Sequence, residues 1–264
     1  MKPLGAAVWS TITMLALAGC TNDVVTTIVA VDDSTGAAMG STGDASTAAA
    51  TAESSGGDST TGVQAPDCQE PREPPPSPFD CTGVDGVLEG SVIIDDTPES
   101  DSPEMLEGIA VVVGAIRLNG TDLTNLDFMG CVREVGADLT FFDNDLLTNV
   151  DGLHNIESIG TELVFFENGA LVDFDGLPNL ERVNTTLAFR SNSALETISG
   201  FHRLVEVDSE IPNCPACESW DFPGNLTIQG NSVLRNIDGL GGLRIVGNIL
   251  AISNNPMLCM SSVN

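Results

Sequence analysis

Lysine is almost absent from this chain. Among its 264 residues Lys2 is the single lysine, and nine lysine and arginine residues stand against 38 aspartate and glutamate residues, for a net charge of -29 at pH 7. A protein this acidic is repelled by nucleic-acid phosphates and by anionic lipid headgroups. The composition therefore disfavours nucleic acid as a partner. It indicates a well-hydrated surface, with cation binding as the other use of so many carboxylates.

Familiar catalytic signatures are missing as well. The sequence has no G-x-S-x-G, no H-E-x-x-H, no P-loop and no dinucleotide glycine fingerprint, and its only histidines are His154 and His202. These motifs supply, respectively, a serine nucleophile, zinc ligands and cradles for phosphate groups. Their absence argues against those classes of enzyme.

Helical periodicity is the third absence, and a repeat stands in its place. No segment keeps a 3.6-residue apolar stripe for the ten or so residues that a helix needs. From about residue 115 onward the chain instead repeats itself every 24 residues, and equivalent residues are found at fixed offsets. Offset zero is Leu139, Leu163, Leu187, Leu226 and Leu250; offset two is Phe141, Phe165, Phe189, Ile228 and Ile252; offset five is Asn144, Asn168, Asn192, Asn231 and Asn255.

A constant period of this size predicts one supersecondary unit stacked on its own copies. Apolar residues at offsets zero and two predict a short strand with one buried face. The recurrent Asn is expected to cap the turn that follows this strand, and the recurrent Gly, as in Gly152 and Gly176, to form a tight corner. We therefore predict an all-β parallel β-helix, or solenoid, of about 24-residue coils, with Phe141, Phe165 and Phe189 stacked inside.

The pattern L-x-F-x-x-N-x-x-L-x-x-V/F-x-G-L, found at residues 139–153 and 163–177, resembles the receptor L-domain. This is the leucine-rich-repeat-like right-handed β-helix of insulin- and EGF-type receptor ectodomains, with relatives on bacterial surface proteins. Cys81 followed by residues 84–94 is similar to the first, capping coil of that family. The resemblance covers residues 81–259 and implies a ligand-binding domain, but L-domains bind very different ligands. An insertion at residues 208–224 departs from the pattern.

The N-terminus predicts export and a lipid anchor. Residues 1–19 contain Lys2, an apolar run too short to span a membrane, and small residues before Cys20, which is typical of a signal peptide. The ending Leu17-Ala18-Gly19-Cys20 resembles a bacterial lipobox, which implies lipidation of Cys20; an ordinary signal peptide is the alternative. Thr21 in place of Asp favours the outer membrane of the cell envelope. Whether the domain faces the periplasm or the cell exterior stays open.

Low-complexity sequence separates this anchor from the repeats. Residues 20–67 are rich in Ser, Thr, Ala, Gly and Asp, and such a segment buries too little to offset its chain entropy. We predict a disordered tether there, a stiff Pro-rich junction at residues 68–80 and the solenoid at residues 81–264.

Six cysteines follow Cys20, and an even number in an exported chain predicts disulfides. Proximity along the sequence favours a Cys68–Cys81 bridge and a Cys214–Cys217 bridge, with Cys131 and Cys259 left over; other pairings stay open. The C-x-x-C spacing of Cys214 and Cys217 also occurs in redox and zinc proteins, but no second ligand pair accompanies it.

Metal and acid–base sites have only weak signals. Asp143 and Asp145 flank an Asn and are the best calcium candidates, although calcium wants six to eight oxygen ligands. Turn capping by Asp is the preferred interpretation of the aspartates that precede the corner glycines. No cofactor is predicted. The two histidines lie two coils apart, about 10 Å, and are expected at surface corners. The acidic pair Asp143/Glu167 is what a carbohydrate-active enzyme on a β-helix would use.

One face of the repeat predicts recognition. Offsets one and three of the strand point away from the core, which places Thr140, Val164, Phe142, Phe166 and Arg190 together on the outer face of a sheet. Adjacent aromatic residues rimmed by polar groups are typical of interaction surfaces. We therefore predict a non-catalytic binding module for a protein or glycan ligand of the cell envelope or surface, with an enzyme or a passive structural protein as alternatives.

Overall fold

The computed structural model describes residues 26–29, 73–208 and 224–258, and it confirms an all-β parallel solenoid. Its seventeen strands are β1 Thr26–Val29, β2 Gly86–Leu88, β3 Val92–Asp95, β4 Ile109–Val112, β5 Ile116–Asn119, β6 Glu134–Val135, β7 Leu139–Phe142, β8 Ser158–Ile159, β9 Glu162–Phe166, β10 Asp173–Phe174, β11 Arg182–Val183, β12 Thr186–Arg190, β13 Thr197–Ile198, β14 Glu206–Val207, β15 Asn225–Gln229, β16 Ile245–Val246 and β17 Ile249–Ser253. Within these residues the helical elements are short 3₁₀ turns at Pro103–Leu106, Asp127–Met129, Asp151–Leu153 and Asp238–Gly242.

The strands form two long sheets along the stacking direction. The main sheet has the order β1-β17-β15-β12-β9-β7-β5-β3, and the second has the order β16-β14-β11-β8-β6-β4-β2. Strand β10 pairs with β13 in a small third sheet. In the main sheet Leu163 pairs with Leu139 on one side and with Leu187 on the other, so neighbouring coils are related by a shift of 24 residues.

The core runs through the middle of the coils as stacked ladders of identical residues. The ring of Phe165 lies between those of Phe141 and Phe189, with centroid distances of 4.5 and 5.3 Å and nearly parallel planes. Phe174 packs edge-on against Phe165 at 4.9 Å. All four rings are completely buried. The predicted aromatic stack is confirmed, and it joins consecutive coils into one core.

The repeated asparagines form a second buried ladder, which runs along the corner after the main sheet. The Nδ2 group of Asn168 donates to Oδ1 of Asn192 at 3.2 Å and to the carbonyl oxygen of Phe141 at 3.1 Å. Its own Oδ1 accepts from the backbone N–H and the Nδ2 group of Asn144. The same bonds recur from coil to coil, ending at Asn255. The predicted turn-capping role is confirmed, and the side chains also bond one another across coils.

The residue before each ladder asparagine has a left-handed backbone, and so does Gly120, which precedes Thr121 at the equivalent position of the preceding coil. These residues have φ between 54° and 73°, and they are Gly120, Asp143, Glu167, Ser191, Gly230 and Asn254. A left-handed residue at a fixed point sharply turns the chain out of each strand. Because residues other than Gly pay a conformational cost there, the ladder of asparagine hydrogen bonds must hold the corner in place.

Corner glycines meet a different requirement, which is close approach between coils. A Cβ atom on Gly152 would lie 1.8 Å from the carbonyl oxygen of Leu126, and one on Gly176 would lie 2.7 Å from that of Val150. The predicted tight corner therefore needs glycine because any side chain would clash there, and neither of these two glycines has a positive φ. The 3₁₀ turns beside them are capped by asparagines: the backbone N–H of Asp151 donates to Oδ1 of Asn149 at 2.9 Å. Asn125 and Asn236 cap Asp127 and Asp238 in the same way, so asparagine supplies the cap that we expected from aspartate.

Residues 73–80, which we call the strap, lie along the side of the solenoid. The carbonyl oxygen of Pro75 accepts a hydrogen bond from Nε2 of His154 at 3.0 Å, and Oγ of Ser77 accepts one from Asn155 at 2.8 Å. Further along, Phe79 packs so closely on Gly130 that a Cβ there would lie 2.5 Å from its ring. His154 is therefore buried beneath the strap, where an exposed corner was expected.

The strap also explains the disulfide. Cys81 is bonded to Cys131, with their Cα atoms 5.4 Å apart, so the predicted Cys68–Cys81 bridge is wrong. Because the strap lies across several coils, it brings Cys81 to a residue fifty positions away. Cys20, Cys68, Cys214, Cys217 and Cys259 lie outside the described residues, as do residues 1–19, most of the predicted tether and most of the 208–224 insertion.

Strand β1 belongs to the segment predicted as a tether. It pairs antiparallel with β17 in the register Thr27–Ala251 and is the one antiparallel neighbour among the strands described. Strand β17 is the last strand of the stack, so its outer backbone groups would otherwise be unpaired. In the described part of the chain no helix is long and apolar enough to cross a membrane.

Asp175 has a raised pKa, and it carries a prediction about stability. Partial desolvation of the carboxyl, on a residue that is otherwise exposed, raises its pKa above the usual range, and the neighbouring Asp151 adds to the effect. A carboxyl whose pKa is higher in the folded than in the unfolded state favours folding at low pH and opposes it once the pH rises above the folded pKa. We therefore expect Asp175→Asn to raise the melting temperature at pH 7 and to have little effect well below pH 4. Thermal unfolding followed by circular dichroism at both pH values measures this; an equal effect at both would contradict it.

Candidate functional site

The outer face of the main sheet carries the residues that we predicted for recognition. Register pairs Phe142 with Phe166 and Phe166 with Arg190, so the three residues form one row across β7, β9 and β12. The rings of Phe142 and Phe166 lie side by side, with centroids 5.8 Å apart and planes tilted by 53°. Phe142 is 36% exposed, Phe166 is partly exposed and Arg190 is exposed. Their predicted adjacency is confirmed.

This row is fixed by the fold beneath it. In each strand the exposed residue directly follows a residue of the buried aromatic ladder and points to the opposite face of the sheet. Phe142 follows the buried Phe141, and Phe166 follows the buried Phe165. The left-handed residues Asp143, Glu167 and Ser191 end the strands immediately afterwards. The stacked core and the corner therefore hold the exposed rings on a rigid surface, so little conformational entropy is lost when a ligand binds to them.

The neighbouring row differs from a simple alternation of exposed and buried residues. Thr140 and Val164 pair with each other on the outer face, but Thr140 is only 2% and Val164 only 8% exposed. Their short side chains lie below the level of longer neighbours. Thr140 in particular lines the floor of a shallow pocket together with Arg117, Asn119, Phe142 and Glu162.

Thr140 has an unusual environment. Its Oγ1 atom is buried and has no hydrogen-bond partner in the protein. Leaving such a group unpaired costs about 1–3 kcal/mol, and most buried polar side chains therefore have a partner. The nearest strand neighbours do not supply one, because Val164 is apolar and Arg117 is engaged with Asp138 at 2.6 Å. The sequence predicts that Thr140 lies on this face of the sheet. Whether its hydroxyl finds a hydrogen-bond partner depends on all of its neighbours in the fold, which the sequence pattern does not specify.

The other candidate residues lie away from this pocket. Asp143 and Glu167 are exposed at equivalent left-handed corner positions of successive coils, directly after the strands of the main sheet. Asp145 is exposed beside Gly169 of the next coil. Within the described residues there is no group of three or more His, Cys, Asp or Glu side chains arranged to hold a metal ion. His154 and His202 both contact the strap, His202 through the carbonyl oxygen of Glu73 at 3.5 Å.

Comparison with known proteins gives no relative from which a function could be inferred. No protein-family model matches the chain, and no curated protein and no solved structure gives a significant match.

Proposed function

We propose that the protein is a non-catalytic recognition module of the cell envelope, lipid-anchored through Cys20, which binds a protein or glycan ligand with the outer face of its main sheet. The observation that carries the proposal is the pair of exposed rings of Phe142 and Phe166, 5.8 Å apart on a rigid sheet. Exposed aromatic groups in a polar setting are enriched where proteins bind partners, because their burial contributes much energy per residue.

Charge and chemistry support the same assignment. The net charge of -29 disfavours nucleic acids and anionic lipid surfaces as ligands. Arg190, beside Phe166, is a positive group on the same row, and arginine is also common at the centre of interfaces. The resemblance of residues 17–20 to a lipobox supports the lipid anchor, and Thr21 in place of Asp supports the outer-membrane location. The L-domain resemblance adds a family whose members recognise ligands.

The test is binding to isolated envelope fractions by the full chain carrying Cys20→Ser, which prevents lipid attachment. We expect saturable binding that Phe142→Ala combined with Phe166→Ala weakens by about 30-fold or more, the effect of losing roughly 2 kcal/mol at a central aromatic pair. Fluorescence anisotropy of the labelled protein measures the dissociation constant.

A matched control removes as much exposed apolar surface elsewhere. Leu146 and Val172 are 49% and 43% exposed and lie outside the strands of the main sheet, so Leu146→Ala with Val172→Ala should leave binding unchanged. Equal losses in the two double variants would mean that nonspecific adhesion is being measured. Saturable binding that survives loss of both phenylalanines would remove this face from consideration, and absence of binding would favour a passive structural role.

A further inference from the structure

We propose that the C-terminal end of the solenoid faces the membrane, so that the partner of this end is the lipid surface. The inference rests on the proposed lipid anchor at Cys20. We call residues 225–258, which contain strands β15 to β17, the base, and residues 81–138, which contain strands β2 to β6, the tip. The strand pairing, the course of the strap, the charge and the open end of the core all favour the base as the end next to the bilayer.

Strand β1 ties the anchor to the base. It pairs with β17, the last strand of the main sheet, from Thr26–Ile252 to Val29–Ile249. Thr26 is six residues after Cys20, and six residues span at most about 21 Å even when fully extended. Lipid chains on Cys20 would therefore hold the base within that distance of the bilayer. A flexible tether over the whole of residues 20–67 would set no such limit.

The strap meets the solenoid from the same end. It begins where the carbonyl oxygen of Glu73 lies 3.5 Å from Nδ1 of His202, in the coil of β12. It then passes His154 and ends with Phe79 against Gly130, in the coil of β5. The strap therefore runs from later coils to earlier ones. The chain joins the solenoid at its base, follows its side and only then forms the tip.

Charge is distributed as this orientation requires. The tip contains twelve acidic residues and two arginines, whereas the base contains one acidic residue, Asp238, and two arginines, Arg235 and Arg244. Since Arg235 lies 4.0 Å from Glu196 of the preceding coil, the base is close to neutral rather than basic. A bilayer that contains anionic lipids therefore repels the tip and hardly repels the base.

The core is also less well covered at the base. The apolar residues of the last coil are only partly buried, while the residues at the same positions one coil earlier are buried; they are Leu250, Ile252 and Leu258 against Leu226, Ile228 and Leu234. Met257, beside them, is 44% exposed. The headgroup region of a bilayer suits such side chains because it removes apolar surface from water.

This orientation leaves the recognition face accessible. The row formed by Phe142, Phe166 and Arg190 lies on β7, β9 and β12, which are four, three and two strands from β17. At about 4.8 Å for each strand, the row stands roughly 10–19 Å beyond the last strand. A ligand would therefore reach the row from the side of the solenoid, above the lipid surface.

The first experiment tests the pairing of β1. The full chain carrying Cys20→Ser also receives Thr27→Cys and Ala251→Cys, at two positions that the register places opposite each other. Opposed residues of antiparallel strands have Cα atoms about 4.5–5.5 Å apart, which suits a disulfide. We expect peptide mapping by mass spectrometry to find a bond between positions 27 and 251 in most molecules. Thr27→Cys with Thr227→Cys is the control, because Thr227 lies one strand further in and should give no bond.

The second experiment tests the orientation of the native, acylated protein in vesicles of phosphatidylcholine and phosphatidylglycerol. An iron chelate on the lipid headgroups generates hydroxyl radicals at the bilayer surface. Met257 of the base and Met105 of the tip are matched targets, 44% and 43% exposed. Six strand spacings, about 29 Å, separate their coils along the stack. We expect Met257 to be oxidised at least threefold faster, whereas a soluble iron chelate should oxidise the two at similar rates.

A variant without the strand links the two experiments. Adjacent residues of a strand direct their N–H groups to opposite edges, so Thr27→Pro with Ile28→Pro removes a donor to β17 whichever residue supplies it. We expect the oxidation rates of Met257 and Met105 to become similar in this variant, while circular dichroism shows that the solenoid is still folded. Equal rates in the native protein, or no bond between positions 27 and 251, would overturn the proposal.

The same preparations separate this proposal from the recognition function. Mass spectrometry of the native protein reports acyl chains on Cys20; a protein without them would have no anchor, and the orientation would fail while the binding face stood. Conversely, faster oxidation of Met257 together with envelope binding that survives loss of Phe142 and Phe166 would support the orientation and remove the binding face.

Discussion

Replacing Asn168 with alanine is expected to lower the free energy of unfolding by about 3–5 kcal/mol, because several buried groups lose their partners at once. The backbone N–H and the Nδ2 group of Asn144 would lose their shared acceptor. The carbonyl oxygen of Phe141 would lose its donor, and Asn192 would lose one of the bonds to its Oδ1. Urea unfolding followed by circular dichroism measures the change.

Two further substitutions make this test specific to the ladder. Asn149 is an exposed asparagine of the same repeat, and Asn149→Ala should cost less than about 1 kcal/mol, the typical value for a lost cap. Asn168→Asp places a carboxyl at a fully buried site, where burial favours its neutral form. That form has an O–H donor, so this variant should regain stability as the pH falls. Similar losses for Asn168→Ala and Asn149→Ala would contradict the importance of the buried ladder.

Phe165→Ala is the second substitution with a large expected effect, also about 3–5 kcal/mol, the usual cost of removing a buried phenylalanine. Phe165 stacks on Phe141 and Phe189 and meets the edge of Phe174, so its loss leaves a cavity that touches three rings of three coils. Since the neighbouring backbones are fixed by the parallel ladders, the cavity can collapse only partly.

Phe142→Ala is the matched control for this substitution, because Phe142 directly follows Phe141 in the chain but lies on the outer face. It should cost less than about 1.5 kcal/mol, since less apolar surface leaves the interior. Thermal and urea unfolding of both variants compare the two costs. Equal losses of stability in the two variants would contradict the structure, in which Phe165 is buried and Phe142 lies on the exposed face of the sheet.

The repeat could be predicted because identical residues stack on each other. Leu163, Phe165 and Asn168 recur with the same period, and each repeats one contact in every coil. The left-handed corner was missed because its residue types share no pattern: Glu167 and Ser191 hold the same backbone conformation as Gly120. At Glu167 and Ser191 the fold imposes the left-handed conformation on residue types that rarely adopt it. Gly120, in contrast, is a residue type that adopts this conformation readily.

Contacts that break the period could not be predicted either. The strap reaches His154 and brings Cys81 to Cys131 because it lies across several coils, and no spacing in the sequence records that path. At the candidate site, alternation placed Phe142 and Phe166 correctly on the outer face. The burial of Thr140 beneath its longer neighbours depends on side-chain lengths in three adjacent coils.

The most direct test of the central claim, that the outer face of the main sheet binds a ligand, is hydroxyl-radical footprinting of the full chain carrying Cys20→Ser with and without isolated envelope fractions. Mass spectrometry would report oxidation at Phe142 and Phe166, while the buried Phe141 and Phe165 serve as internal controls for unfolding. The account predicts that the envelope protects Phe142 and Phe166 and leaves exposed Leu146 and Val172 unprotected. Saturable binding with Phe142 and Phe166 still fully oxidised would contradict it.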